Sequence, residues 1–312
     1  MARPVKGHQA AANAHVPLPT RDGVAPSYLW LTETRAGGML RFLVERFPDV
    51  SPAAWTARLA RGEIVDASGT PLSADSQVRQ GMRIWYYREL EAPETPIPFQ
   101  ERVLFQDRHL LVVDKPHFLP TIPTGRFLKE TLLVRLRRAH DLPHLVPIHR
   151  LDRETAGVVI FSHNPDSRGA YQSMFQKRVV RKTYEALAGV MQGREFPFTY
   201  RCRMQDAAQF FVSQEVEGEP NSETLIELLE QRGDVARYRL HPHTGRKHQL
   251  RLHLSQLGAP IVNDAFYPVA LPCKGDDFGA PLQLLARSIG FDDPLTGQPR
   301  SFASERTLDW PA

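Results

Sequence analysis

Cysteine is almost absent from this chain. Cys202 and Cys273 are the only two, too few for a disulfide framework or a cysteine-based zinc site. Long apolar runs are missing too. Nothing approaches the ~20 residues that span a bilayer, and the start around Arg3, Lys6 and His8 lacks the apolar stretch of a signal peptide. The expectation is a cytoplasmic protein with no membrane partner. No Gly-rich phosphate loop is present, which disfavours nucleotide-dependent chemistry. Internal repeats are absent, and low complexity is confined to the Ala/Pro-rich start.

The hydrophobic fraction is 42% over 312 residues, enough for one large domain plus a small one. A net charge of +4 permits a nucleic-acid partner, and the placement of charge says more. Lys177 to Arg203 holds seven Lys or Arg and two acids, and Arg237 to Val262 holds five basic residues and no acid. Such stripes suit a phosphate backbone, or equally a solvated basic face.

Residues 1–37 lack sustained periodicity and read as an irregular extension. Residues 38–90 form a small unit. Met39, Leu40, Phe42, Leu43 and Phe47 space as a helix. Ser51-Pro52 caps a second helix through Trp55 and Leu59, and short strands follow at Ile64-Val65 and Arg83–Tyr87. Residues 91–102, with Pro93, Pro96 and Pro98, read as a stiff linker. Residues 103–312 mix the two element types. Val103–Phe105 and Leu110–Val113 suggest a hairpin, and Gly157–Phe161, Thr183–Val190, Thr224–Leu229, Val235–Leu240 and Leu282–Phe291 read as strands. Helices are expected around Leu132–Leu136, over Asp166–Lys177 and over Arg246–Leu257. Strands that follow one another without helices between them predict an α+β fold.

The informative segment is His149-Arg150-Leu151-Asp152-Arg153-Glu154-Thr155-Ala156-Gly157, followed by Val158–Phe161. A carboxylate sits between two arginines on a loop that enters a strand, a common place for a reactive group. Cations beside it favour the ionised form, fit for a nucleophile or a base. A salt-bridged structural Asp satisfies the same pattern. The kinase His-Arg-Asp loop does not, because Leu151 intervenes and no Asn follows at the required spacing.

That string resembles the signature of RluA-type pseudouridine synthases. Three more stretches agree in order: Asp107–Pro116, Arg181–Ala186, and Thr244–Leu254 with Gly258–Ile261 and Asp264–Tyr267. The resemblance spans Val103 to Phe302. It implies a mixed, largely antiparallel sheet with flanking helices, and isomerisation of uridine in structured ribosomal or transfer RNA by a monomer without a cofactor. It also implies roles for particular residues. Asp152 would be the catalytic carboxylate, oriented by an ion pair to Arg251, and Tyr184 the aromatic beside the target base. Arg150 would fill the vacated stack or clamp a phosphate. Lys115, Arg246, His149 and Lys182 would complete the RNA-binding set. Ala156 departs from the more usual Ser, and Leu285-Ala286-Arg287 from Leu-His-Ala.

His241, His243, His248 and His253 raise a metal reading. His248 and His253 are five apart, off a common helix face, and no Cys joins them. They are expected at the rim or in the core, with no metal. Residues 38–90 resemble a small ribosomal-protein RNA-binding domain of α/β type, through Gly62–Val65 and Gly81–Ile84. Seven Arg are there offset by six acids, hardly a basic patch. Two rival readings remain: a non-catalytic RNA-binding protein that kept the fold, and a metal-dependent hydrolase.

Overall fold

Met39, Phe42 and Leu43 lie on one helical face, and helix α1 (Gly38–Arg46) buries all three. Helix α2 (Pro52–Ala60) starts where a cap and a first-turn proline coincide: Ser51 Oγ accepts from the Ala54 N–H at 3.2 Å. The computed structural model describes residues 16–90, 93–208, 212–271 and 278–311, and Cys273 lies outside them. The two helices share a core with β1 (Ser27–Trp30), β2 (Ile64–Val65) and β3 (Arg83–Tyr86), through Leu31, Trp55, Leu59, Ile64 and Ile84.

Strand β1 corrects the expectation of an irregular extension. It pairs antiparallel with β3, Ser27 opposite Tyr86 and Trp30 opposite Arg83. Four residues are too few for a period-2 pattern to stand out, and the strand exists because β3 offers it an edge. The chain divides into two units, the first taking residues up to Glu94 together with Pro123–Lys129 and Arg137–Pro143. Sequence composition gave no sign of those later segments. The Glu94 carboxylate holds the first, accepting from the N–H groups of Leu128 (2.8 Å) and Lys129 (2.7 Å), and Arg137 of the second donates to the Gly23 carbonyl at 3.2 Å.

The second unit is a large α+β sheet. In chain order it contains β4 (Arg102–Gln106), β5 (Leu110–Lys115), α3 (Leu132–His140, through Leu136), β6 (Val146–Pro147), β7 (Ala156–Ser162) and α4 (Pro165–Gln176). Then come β8 (Arg181–Gly189), β9 (Phe198–Asp206), β10 (Ser213–Val216), β11 (Ser222–Arg232), β12 (Val235–Pro242), α5 (Gln249–Gln256), β13 (Leu284–Asp292) and β14 (Pro299–Ala303). The order across the sheet is β10-β9-β11-β12-β8-β13-β7-β5-β4, with β14 on β13 and β6 on β7. Pairing is antiparallel except at β7 and β13.

Helix α4 packs Tyr171 and Met174 onto Val158, Ile160 and Phe291. Helix α5 packs Leu250 and Leu254 onto Ile226, Tyr238 and Leu240. Each such fully buried side chain contributes about 1.5–3 kcal/mol. Strands β9 and β10 were not expected, because their exposed, charged alternation (Arg201, Arg203) carries little apolar signal.

The parallel junction explains one motif glycine. Gly157 has φ +115° and sits opposite Ala286, whose backbone N would lie 2.7 Å from any added Cβ. Only glycine admits both the conformation and the approach.

Candidate active site

Asp152 stands on the loop between β6 and β7, and two buried side chains fix that loop. Thr121 Oγ1 donates to the Leu151 carbonyl (2.9 Å) and accepts from the Leu151 N–H (3.3 Å). Lys115, fully buried, donates to the carbonyls of Pro116 (2.9 Å), Leu119 (2.7 Å) and Arg153 (3.1 Å). Burial pushes its ammonium down to about 7, against the pull of the Glu154 and Asp152 carboxylates. With no exposed atom it cannot touch RNA, which corrects the RNA-binding expectation. Its physical work is to tie the Asp152 loop to β5.

The cleft is lined by Arg150, Asp152, Lys182, Tyr184, Arg246, His248 and Arg251, among others. Asp152 reaches it with its side chain 32% exposed. Its closest cation is not a sequence neighbour. Arg153 pairs with Glu154 at 3.2 Å, whereas Arg251 places Nη1 3.7 Å from Asp152 Oδ2. The expected ion pair is present, yet it is not the bidentate one. Arg251, 1% exposed, gives its fork to Asp264, whose side chain is 0% exposed: Nε to Oδ2 at 2.8 Å and Nη2 to Oδ1 at 2.5 Å. Desolvation works against the guanidinium charge, and the Asp264 hydrogen bonds outweigh it, so its pKa is raised. The rings of Phe266 and Tyr267 flank the guanidinium. Nη1 alone has no hydrogen-bond partner among the described residues, and it is the atom that faces Asp152.

Asp264 is therefore the positioning group that sequence assigned no role. It also accepts from the N–H groups of Phe266 (2.8 Å) and Tyr267 (3.2 Å). His248 is a second such residue. It precedes α5 in a left-handed conformation, lies 3.8 Å from Asp152 Oδ2, and is held below its ordinary pKa by burial despite that carboxylate. Because it lies just outside α5, helix periodicity from Arg251 gave no signal for it.

Tyr184 lines the same cleft from β8. Burial, with the Asp152 charge beside it, pushes its phenol well above the ordinary value, so the hydroxyl stays protonated at neutral pH. Lys182 donates to the Thr244 carbonyl at 3.2 Å, and burial lowers its pKa, helped by the Arg178 charge. Arg246 is exposed and donates from Nε to the Asn221 carbonyl at 2.9 Å. Arg150 is exposed at the rim, with no ion pair among the described residues.

His149 does not suit the RNA-binding set. Its ring stacks on Phe175, its Nε2 accepts from the Ile160 N–H at 3.1 Å, and burial pushes it down to about 3. It is a neutral part of the scaffold. The basic stripes also change meaning. Arg237 pairs with Glu185, Arg239 with Glu227 and Arg201 with Glu223. A stretch free of acid in sequence is thus laced with acid from neighbouring strands. Arg287 at the departing Leu-Ala-Arg segment joins the Glu185 pair and donates to the carbonyls of Ser304 and Arg306.

The family model for RNA pseudouridylate synthase matches residues 109–256. The dual-specificity RNA pseudouridine synthase RluA of Yersinia pestis is 32% identical over 206 residues, 65% of this chain and 98% of that protein. Human pseudouridylate synthase RPUSD2 is 35% identical over 184 residues, 57% of this chain and 32% of the human one. The solved human RNA pseudouridylate synthase domain containing 1 aligns at a TM-score of 0.54 and 25% identity, covering 69% of this chain and 86% of its own. Together with the Asp152 cleft on a mostly antiparallel sheet, these likenesses establish that the chain belongs to the RluA-type RNA pseudouridine synthases.

Proposed function

We propose that this protein isomerises specific uridines to pseudouridine in structured ribosomal or transfer RNA, with Asp152 as the catalytic carboxylate. The carrying observation is a single open carboxylate facing the one unpartnered nitrogen of a buried guanidinium. The reaction breaks the bond between ribose C1′ and N1 of the base, turns the base, and rejoins C1′ to C5. The C5 hydrogen leaves and N1 gains one, so nothing is oxidised or reduced and no cofactor is needed. An ionised Asp152 serves as nucleophile or as proton acceptor, and Arg251 keeps it oriented. Tyr184 offers a ring and a neutral hydroxyl to the base. A base inside a stem must be extruded to reach this cleft, and Arg150 at the rim is placed to fill the gap or clamp a phosphate.

The test is release of tritium from RNA carrying uridine labelled at C5. Asp152→Asn keeps the shape and removes the anionic oxygen. It should abolish release while RNA binding and the unfolding midpoint stay near wild type. Retention of more than a few per cent of turnover overturns the assignment of Asp152. No turnover by the wild-type chain on any ribosomal or transfer RNA favours the non-catalytic rival.

A further inference from the structure

The sheet of the first unit turns one face away from its core, and that face is aromatic. Register places Tyr28 opposite Trp85 and Trp30 opposite Arg83, while Leu29 and Ile84 point to the other side. Tyr28 is 46% exposed and Trp30 48%. The Arg83 guanidinium lies 5.1 Å from the Trp30 ring centre, 5.0 Å from Trp85 and 5.8 Å from Tyr28.

Arg83 Nε has no hydrogen-bond partner, and no carboxylate among the described residues pairs with this arginine. The helix side of the same unit is different. Arg35 and Arg41 pair with Glu45, and Arg58 and Arg61 with Glu89. Around the helices most arginines are paired, Arg46 over the Phe47 ring excepted, and among the rings of the sheet face Arg83 is left without a carboxylate.

We propose that this face binds single-stranded RNA, with nucleobases stacking on Tyr28 and Trp30 and Arg83 meeting the phosphate backbone. The proposal rests on an RNA substrate for the chain, as inferred above. Stacked rings accept any base because every base has a π-face, and a guanidinium among them adds attraction for the polyanion. Duplex RNA hides its bases and should gain nothing here. The face would hold unpaired nucleotides of the substrate RNA. A second copy of this chain is the competing occupant.

The experiment uses the full chain and an oligocytidylate of about ten nucleotides, a length within the range such platforms cover. It contains no uridine, so nothing at Asp152 is read. Binding should quench tryptophan fluorescence. Trp30→Phe should lose most of that quenching and keep affinity within about twofold, because a ring remains. Tyr28→Ala with Trp30→Ala should weaken binding about tenfold or more. Arg83→Gln should lower the slope of log affinity against log salt by about 0.7, one single-strand phosphate contact.

Quenching that survives Trp30→Phe overturns the proposal. So does wild-type affinity in the alanine pair. A concentration-dependent dimer that the alanine pair abolishes overturns it as well, and assigns the face to self-association. If the alanine pair fails to fold, Trp30→Phe still decides. Trp30-dependent quenching without any uridine turnover would sink the isomerase reading alone, and turnover without quenching would sink this face alone.

Discussion

The loop around Asp152 and the stretch from Arg237 to Val262 meet at one cleft, but they are built on different logic. The loop is local. Its motif residues are neighbours in sequence, and Thr121 and Lys115 pin them from behind. The second stretch is a set of loose ends in sequence, each closed by a distant strand or turn: Arg237 by Glu185, Arg239 by Glu227, Arg251 by Asp264. The same contrast appears around Arg251 itself. Asp264 is sealed and takes two of its donors, while Asp152 is open and faces the third. A closed pair sets the geometry and an open carboxylate uses it.

Breaking the closed side should cost most. Asp264→Asn leaves a buried guanidinium facing a neutral amide, and removing one partner of a buried pair costs about 3–5 kcal/mol. Urea unfolding of the variant should show that loss, with turnover reduced further than the unfolded fraction explains. An unchanged midpoint would mean that Arg251 is held by its flanking rings instead.

Arg251→Lys sharpens the comparison. A lysine keeps the charge but has no planar fork, so it cannot satisfy Asp264 twice and still face Asp152. Turnover should fall about 100-fold, roughly 2.7 kcal/mol in barrier. The loss should nearly match that of Arg251→Ala in single-turnover assays. Normal activity in the Lys variant would reduce Arg251 to a source of charge.

The smallest effect tests the scaffold by pH. His149 and His253 are pushed down by burial, to about 3 and about 4. The unfolded chain therefore binds more protons than the folded one between their folded values and the ordinary 6.5. Stability from these groups is complete above pH 6.5 and drains away as pH falls toward 4. Urea midpoints measured across that window should decline. His253→Gln, which retains a polar partner for Ser222 Oγ, should flatten the decline. An unchanged slope would show that His253 titrates alike in both states.

Much of the fold was legible where apolar residues recur at the helix period, run together as in a buried strand, or follow a capping residue. Helices α1, α2 and α4, the β4–β5 hairpin and strand β7 all announce themselves by apolar period or by capping residues. Strands β1, β9 and β10 do not. They are edge or near-edge strands whose hydrogen bonds come from a partner, not from a pattern of their own. At the cleft, Asp152, Tyr184 and Arg251 are brought together as their motifs implied. Lys115 and His149 carry the same motifs but face inward: Lys115 ends a strand buried on both faces, and the His149 ring stacks on Phe175 of α4, neither of which adjacent residues reveal.

The sequence by itself determined the composition of the reactive loop, the glycine that lets β7 pass beside β13, and the order of motifs that marks the family. Those are properties of adjacent residues, set by backbone conformation and side-chain chemistry. Only the tertiary structure decided which charges remain available. An ion pair needs two groups within about 4 Å, and here the partners are usually many residues apart. Folding therefore cancelled Arg237 and Arg239, sealed Arg251 against Asp264, and left Asp152 and Arg150 open to the cleft.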